Sequence, residues 1–283
     1  MSDELPGVSM YCRVNDEESC TVHRDTPLII SVSMVNDVAV TAASHNAPIE
    51  DEIRRLEERL EAGHMDQEEF DAAAERLRRE MVRIKVYRIG GPGGWLHFIK
   101  IQSLTGEEWA DVDWPLWPLT HHPEVEVAEI DASTTCYVEL GFDPDDPKRP
   151  EGELQIRAVA KLFGDETIES EAARVNFLAE GLPKAEREKE EVLVAKGEYA
   201  LKRGLHDEAL RHVQAALKAN PSSIPALGLL AEIEESRGNL KEALTAFETA
   251  FDEFRKQSKM RDPPRYFIKK IRLLRARLEP EQA

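Results

Sequence analysis

Short segments in which apolar and polar residues alternate fill most of the first two thirds of the chain, and many of their apolar residues are β-branched. Alternation of this kind is typical of strands that bury one face. Clusters of Gly, Pro, Asp and Asn, such as 90–94 and 143–152, separate the segments. Many short strands with frequent turns predict an antiparallel β-sandwich. The predicted strands are 8–14, 27–36, 38–44, 82–89, 95–102, 124–130, 134–142, 153–162 and 168–177.

Residues 48–81 interrupt this pattern with the spacing of amphipathic helices. Gly63 separates two helices, and Asp66 with Glu69 forms a capping box in which Asp replaces Ser or Thr. A helical hairpin is therefore predicted as an insertion between two strands. Its sequence LEAGHMDQEEF resembles the short bacterial hairpin motif known as SHOCT, which usually lies at a chain end. The apolar stripes are Ile53, Leu56 and Leu60 in one helix and Phe70, Ala74, Leu77 and Met81 in the other.

The C-terminal third repeats itself with a period of 34 residues. Each unit reads as two helices joined by a short turn, and a glycine in the turn favours the left-handed conformation that ends a helix. A last helix over 264–278 is expected to cover the second unit. The period aligns Gly204 with Gly238, Ala209 with Ala243 and Ala216 with Ala250, and the last helix has an apolar face of Phe267, Ile271, Leu274 and Leu278.

The two units, 190–223 and 224–257, resemble the tetratricopeptide repeat (TPR) family. The sequence departs from the family where Leu193 and Leu227 replace an early aromatic residue and Arg255 replaces the last proline. The resemblance implies a pair of helical hairpins that binds another protein. The matching positions are Gly197, Ala209, Ala216 and Pro221 in the first unit and Leu230, Ala231, Ala243, Phe247 and Ala250 in the second.

These patterns predict two domains. Residues 1–182 are expected to form the β-sandwich, with the helical hairpin inserted at 48–81, and 183–283 to form the TPR pair with its capping helix. The stretch TPLIISVSMVN and the late strands resemble bacterial immunoglobulin-like domains, although the Cys–Trp–Cys hallmark of antibody domains is absent. The predicted fold class is multi-domain α and β, with an Ig-like antiparallel sandwich followed by an all-α TPR pair.

Charge is distributed unevenly between these parts. Residues 1–182 contain 17 basic and 38 acidic residues, a net charge of −21, whereas 183–283 contain 20 basic and 17 acidic residues, a net charge of +3. The acidic part argues against nucleic-acid binding. The start of the chain lacks a secretory signal, and no apolar run is long enough to span a bilayer. Cys12, Cys20 and Cys136 lack metal-site spacing, so no cofactor is expected. Because their number is odd and no signal is predicted, we expect a cytoplasmic protein with free thiols, and a Cys12–Cys20 bridge across a strand pair is the less favoured alternative.

Two groups of residues could carry chemistry, and each has a simpler interpretation. His121 and His122, with Asp111 and Asp113 upstream, could ligate a metal, but adjacent histidines on an extended chain point apart, so a polar loop is favoured. The glycine run at 90–94 lacks the Lys and Ser or Thr of a phosphate loop, so a hairpin turn is predicted.

A third group consists of tryptophans. Trp109, Trp114 and Trp117 could form a carbohydrate or peptide platform, but covering the open end of the sandwich is the favoured interpretation. Neither a nucleophile elbow nor a Cys/His pair is visible in the sequence. We therefore predict a protein without enzymatic activity.

The TPR resemblance also implies which residues line the concave groove. Acidic residues at Glu198 and Glu232 replace the Asn expected in a clamp for a terminal carboxylate, and only Lys202 fits such a clamp. Charge complementarity then favours a basic or polar partner segment, unless these glutamates are merely solvated. The implied groove residues are Val194, Glu198, Leu201, Lys202, Gly228, Glu232, Glu235 and Ser236.

Three hypotheses for function follow, and a fourth, an enzyme, depends on a stoichiometric metal ion near His121 and His122. The first is a bacterial adaptor or scaffold that uses TPR and Ig-like surfaces to bind another protein. The second is a regulatory subunit or proteolytic target of a larger bacterial complex, such as a protease or defence assembly, with the hairpin or the 143–150 loop as its handle. The third is contact with nucleic acid or a membrane through the basic last helix, whose charges could instead be solvated or dock on the acidic sandwich. The bases concerned are Lys269, Lys270, Arg272, Arg275 and Arg277.

Overall fold

A computed structural model describes residues 7–82, 86–144, 146–164, 166–187, 189–258 and 264–278. The strands are β1 (Val8–Val14), β2 (Ser19–Val22), β3 (Leu28–Asn36), β4 (Tyr87–Gly90), β5 (Ile99–Thr105), β6 (Glu108–Asp111), β7 (Trp117–His122), β8 (Val127–Ile130), β9 (Cys136–Phe142), β10 (Gly152–Lys161), β11 (Thr167–Glu169) and β12 (Ala173–Phe177). The α-helices are α1 (Asp37–Glu61), α2 (Gln67–Glu80), α3 (Lys184–Arg187), α4 (Glu190–Lys202), α5 (His206–Ala219), α6 (Ile224–Ser236), α7 (Leu240–Gln257) and α8 (Arg265–Leu278).

Two sheets form the β-sandwich and enclose one apolar core. The first has the strand order β1-β3-β9-β7, and the second β2-β12-β10-β5-β6, with β11 beside β10. Trp95, Phe142 and Phe177 are among the largest side chains buried in the core. The predicted sandwich is confirmed, with one difference in detail: β2 pairs with β12 in parallel, while the other strand pairs are antiparallel.

The helical hairpin lies between β3 and β4, but it begins earlier than predicted. The strand predicted at 38–44 is wrong, because this segment is the first part of α1. The side chain of Asn36 accepts a hydrogen bond from the amide of Ala39 and so caps the helix. Ala39, Ala42 and Asn46 are buried at helical spacing, whereas the β-branched Val38 is 51% exposed.

The far part of the hairpin, which includes 48–81, has a small core of its own. Leu56 of α1 packs against Phe70 and Ala74 of α2. Asp66 accepts a hydrogen bond of 2.8 Å from the amide of Glu69, which gives α2 the N-cap that the sequence predicted. The two helices of the hairpin are thus stabilised mainly by the apolar contacts between them.

The glycine run at 90–94 does not form the hairpin turn predicted for it. Strand β4 pairs with β8, and the run leads from β4 into a 3-10 helix at Trp95–Phe98, where a strand was predicted. Gly90 has a positive φ, and a β-carbon there would lie 2.3 Å from the carbonyl oxygen of Glu126. The strands β2, β6 and β7 were not predicted. Of the strand predicted at 82–89, β4 contains the last residues, and 83–85 lie outside the described residues.

Helices α4 to α7 form two helical hairpins, and α8 packs on α7. Gly204 and Gly238, with φ of +74° and +83°, occupy the turns and adopt the left-handed conformation expected there. The repeated alanines are fully buried where the helices meet. Phe267, Ile271 and Leu274 of α8 are buried as predicted, and Leu278 is partly buried.

Candidate protein-interaction site

The first repeat helix, α4, rests on the outer face of strand β9. The ring of Tyr199 is 7% exposed and lies over Gly141 of β9. A β-carbon on Gly141 would stand 2.8 Å from Cε2 of Tyr199 and 2.9 Å from both Cδ atoms of Leu119, so only glycine admits this packing. The repeats are therefore joined to the sandwich by close apolar contact as well as by the chain itself.

An ion pair lies beside this contact. The Nζ of Lys202 donates to Oε2 of Glu139 at 2.5 Å, and the hydroxyl of Tyr137 donates to Oε1 of the same carboxylate. Glu139 is 7% exposed, so its charge depends on these two donors. Lys202 also pairs with Glu198 at 3.1 Å. Tyr137, Glu139, Lys202 and Glu198 thus form one connected network across the junction.

Two further ion pairs flank the network. Arg203 donates to Asp143 at 2.7 Å, and Lys196 lies 3.9 Å from Asp25. Asp25 also accepts a hydrogen bond from the amide of Leu182, in the segment that leads to the repeats. The residues that α4 offers to the sandwich are spaced at three or four positions and share one face of the helix.

Burial and charge shift the pKa values of the network. Burial raises the pKa of Tyr137 to about 12, and its hydrogen bond to Glu139 acts in the same direction. Burial by itself would lower the pKa of Lys202, but the bonds to Glu139 and Glu198 outweigh it and hold that pKa above its ordinary value. The ammonium group of Lys202 is therefore retained as a cation.

The groove residues of the first unit lie next to this junction. Val194 and Leu201 are half-buried and pack against the core of the first helical pair. Lys202 is turned toward Glu139, and the side chain of Glu198 remains 48% exposed. Of this half of the predicted groove, Glu198 is the group that offers an accessible charge.

The groove residues of the second unit are partly covered by α8. Glu232 accepts a hydrogen bond from the hydroxyl of Tyr266, and Glu235 pairs with Lys270 at 2.7 Å and with Arg277 at 3.1 Å.

The remaining two groove positions of that unit are small residues. A β-carbon on Gly228 would lie 3.8 Å from Phe267, and Ser236 is exposed and bonded to His206. The chain itself therefore contacts much of the predicted groove, from the sandwich at one end and from α8 at the other.

The sequence did not reveal the junction residues Tyr199, Gly141 and Glu139. Their roles depend on packing between segments that are distant in the chain, which a periodicity cannot show. One signal was present: Lys202 and Arg203 end α4, and a strongly acidic domain precedes the repeats.

The histidines and tryptophans considered in the sequence analysis do not come together in one site among the described residues. His121 and His122 lie in β7 and not in a loop, and the described residues contain no group of His, Cys, Asp or Glu able to hold a metal. Trp114 is buried against Phe142 and Phe177, whereas Trp117 is 51% exposed.

Trp109 and the three cysteines, which the sequence analysis also considered, do not form a binding or catalytic site among the described residues. The guanidinium of Arg157 lies 4.4 Å from the ring centre of Trp109 on the outer face of the second sheet. The three cysteines are free thiols. Within the part of the chain that the structure describes, no helix is long and apolar enough to cross a membrane.

The family model for the tetratricopeptide repeat matches residues 200–262. The C-terminal region is a tetratricopeptide repeat region. The match begins at the end of α4 and covers α5, α6 and α7, so the TPR resemblance seen in the sequence is confirmed. TPR regions suggest protein–protein interaction, and the family is typically non-enzymatic.

Comparison with solved structures gives a weak similarity over part of the chain. AggA, the major subunit of aggregative adherence fimbriae type I from Escherichia coli, is 10% identical, with a TM-score of 0.27, over 63% of this chain and 98% of that chain. A similarity of this size carries no conclusion about function. No curated protein sequence matches the chain.

Proposed function

We propose that the protein is a non-enzymatic adaptor that binds a partner protein through its TPR region, with 1–182 and 183–283 acting as two joined domains. The docking of α4 on β9 carries this proposal. Tyr199 packed on Gly141, with Lys202 bound to Glu139, gives the TPR surface a defined position beside a folded β-domain. A scaffold that connects two binding surfaces needs such a fixed junction.

The charges of the groove support a basic or polar partner segment. Lys202 is shared between the buried carboxylate of Glu139 and the carboxylate of Glu198, and the side chain of Glu198 remains 48% exposed. On the neighbouring helix Glu232 and Glu235 add further carboxylates, although α8 already contacts both. The eight groove residues implied by the family remain the proposed contact, and Glu198 is the most accessible charged member among them.

Affinity purification of the full-length chain from its native host tests this function. The variant Glu198→Lys reverses a half-exposed charge that also pairs with Lys202, so hydrogen exchange in α4 is measured with it. The variant should lose the partner while α4 keeps its protection. Glu242→Lys, on an exposed position of α7, is the matched control and should keep it. Retention of the partner by Glu198→Lys would move the contact away from the groove, and failure to isolate any partner with the wild-type chain would count against the adaptor role.

The hairpin supports a second candidate, the regulatory subunit or proteolytic target of a larger complex. Residues 48–81 contain twelve acidic and six basic residues, and the described contacts of the hairpin are mostly internal. An acidic hairpin whose contacts are mostly internal leaves its outer surface available to a partner. Limited proteolysis of the full chain with and without the purified complex tests this candidate, because unchanged cleavage of the hairpin would exclude a contact there.

A further inference from the structure

The last two helices leave a groove between them. Its floor is apolar and consists of Phe251 from α7 and of Ile268 and Ile271 from α8. Phe251 and Ile268 are partly exposed, and Ile271 is 8% exposed. Part of the floor is therefore open to solvent.

The position of this groove in the repeat indicates what would fill it. Within each TPR unit the second helix packs on the first, as α5 does on α4 and α7 does on α6. Helix α8 follows the second unit as a first helix, and in the described part of the chain no second helix follows it. The groove thus lies beside the position that the second helix of a third unit would occupy in this architecture.

The wall formed by α8 is strongly basic. The helix contains six basic and no acidic residues. Lys270 and Arg277 pair with Glu235, and Arg275 pairs with Glu248 across the groove at 2.5 Å. Lys269 and Arg272 are exposed and have no acidic partner among the described residues.

The wall formed by α7 has the opposite charge. Glu248 and Asp252 line it, and Glu248 is already bound to Arg275. Asp252 is exposed and has no ion pair among the described residues, so the unpaired charge is negative along the α7 edge and positive along the α8 edge. Carboxylates on the α8 side of a bound helix would pair with the positive edge.

We propose that this groove binds an amphipathic helix of a partner protein, with an apolar stripe on the Phe251–Ile268–Ile271 floor and carboxylates along the α8 edge, next to Arg272 and Lys269. The inference rests on the proposed function, because it names the second kind of partner segment that the TPR region takes. Helices bind such grooves through apolar residues spaced at i, i+3 or i+4, and i+7. A second copy of the chain fits less well, since symmetric contact would bring the two basic α8 helices together.

A set of three synthetic helical peptides tests the proposal with the full-length chain. All share a leucine stripe over about 18 residues, and one flank carries Glu, Gln or Lys. Fluorescence anisotropy should show the Glu peptide binding roughly tenfold or more tightly than the Lys peptide, with the Gln peptide between them. The difference should shrink at about 1 M salt. Equal affinity for the Glu and Lys peptides would overturn the proposal.

Two variants locate the site. Ile268→Glu puts a carboxylate into the apolar floor and should abolish binding of the Glu peptide. Leu273→Glu, at a side chain of the same helix that is 51% exposed, is the matched control and should leave it unchanged. Arg272→Glu reverses one exposed charge outside the apolar floor and should greatly reduce the preference for the Glu peptide over the Lys peptide, since Lys269 remains beside it. Unchanged preference in Arg272→Glu contradicts the proposal even if Ile268→Glu fails to fold.

The experiments distinguish failure of the groove inference from failure of the adaptor function. If a native partner is lost with Glu198→Lys but kept by Arg272→Glu, and the peptides do not distinguish charge, the groove inference is wrong and the adaptor function stands. If the Glu peptide does not bind, and sedimentation shows dimers that Ile268→Glu dissociates, the occupant is a second copy and the proposal is likewise overturned.

Discussion

The aromatic ring of Tyr199 lies against the backbone of Gly141, at a distance that leaves no room for a β-carbon on the strand. One residue belongs to helix α4 and the other to strand β9 of the sandwich. Through this contact and the ion pairs around it, the helical repeats and the β-sandwich pack together and share a buried surface.

Substituting Gly141→Ala should therefore weaken the junction. The added methyl group would meet Tyr199 and Leu119 at under 3 Å, so the helix must move away. Overpacking of this kind costs about 1–3 kcal/mol. Chemical unfolding measures the loss, and hydrogen exchange should report faster exchange in α4. In a Tyr199→Ala background, which lacks the opposing ring, Gly141→Ala should cost α4 less protection than it does in the wild type. An equal cost in both backgrounds would argue against this steric explanation.

Lys202→Met should destabilise the protein by removing the cation that faces a buried carboxylate. Loss of one partner of a buried pair costs roughly 3 kcal/mol. Glu139 keeps the hydrogen bond from Tyr137, which limits the loss. The double variant Glu139→Gln, Lys202→Met no longer buries a charge and should recover part of the stability. If both variants unfold at the same denaturant concentration, the pair does not control the junction.

Alkaline pH should weaken the same network. The folded protein holds the proton of Tyr137 more tightly than the unfolded chain does, since burial raises its pKa from 10.0 to about 12. The stability that this proton contributes is complete below about pH 10 and is lost as the pH rises through 12. The raised pKa of Lys202 adds a loss above its ordinary value of 10.5.

Urea unfolding across that pH range measures the effect. Tyr137→Phe should show a shallower decline of the free energy of unfolding than the wild type, because it has no such proton to lose. Tyr11→Phe, at an exposed tyrosine of β1, is the matched control and should follow the wild type. Identical slopes in the Tyr137→Phe variant and the wild type would exclude Tyr137 as a cause.

Two helical glycines in the repeats should respond in opposite ways to alanine. At Gly228 a β-carbon would make one ordinary contact of 3.8 Å, so Gly228→Ala should stabilise the protein by about 0.5–1 kcal/mol through helix propensity. At Gly197 it would lie 3.0 Å from Leu229 and 3.4 Å from a backbone oxygen, so the packing strain should exceed that gain. Thermal unfolding compares them, and equal melting temperatures would contradict the steric difference.

Local patterns were sufficient to predict the repeats and several of the strands, because these depend on residues close in sequence, but β2, β6 and β7 were missed. The prediction for β1 matches its observed bounds, and the turn glycines Gly204 and Gly238 have the expected conformation. The start of α1 was missed for a physical reason. Val38 and Val40 favour a strand, but Asn36 caps a helix there and donates to the carbonyl oxygen of Ile130, far along the chain.

The candidate site was predicted less well than the fold. The family resemblance indicated Glu198 and Lys202, but not that Lys202 turns toward Glu139. Such a pairing depends on how the first repeat helix lands on the sheet. The groove between α7 and α8 was also missed, since its two walls belong to helices whose relative position no periodicity specifies.

The parallel pairing of β2 with β12 has a consequence for synthesis of the chain. Cys20 faces Val175 in this pair, so one edge of the second sheet stays open until nearly the whole sandwich has left the ribosome. The inserted hairpin, with its internal core, can form long before that moment. The pairing of β2 with β12 is thus a late, non-local step in the folding of the β-domain. The helices of the repeats are synthesised soon afterwards and form from local contacts, so they pack on a sheet that has only just been completed.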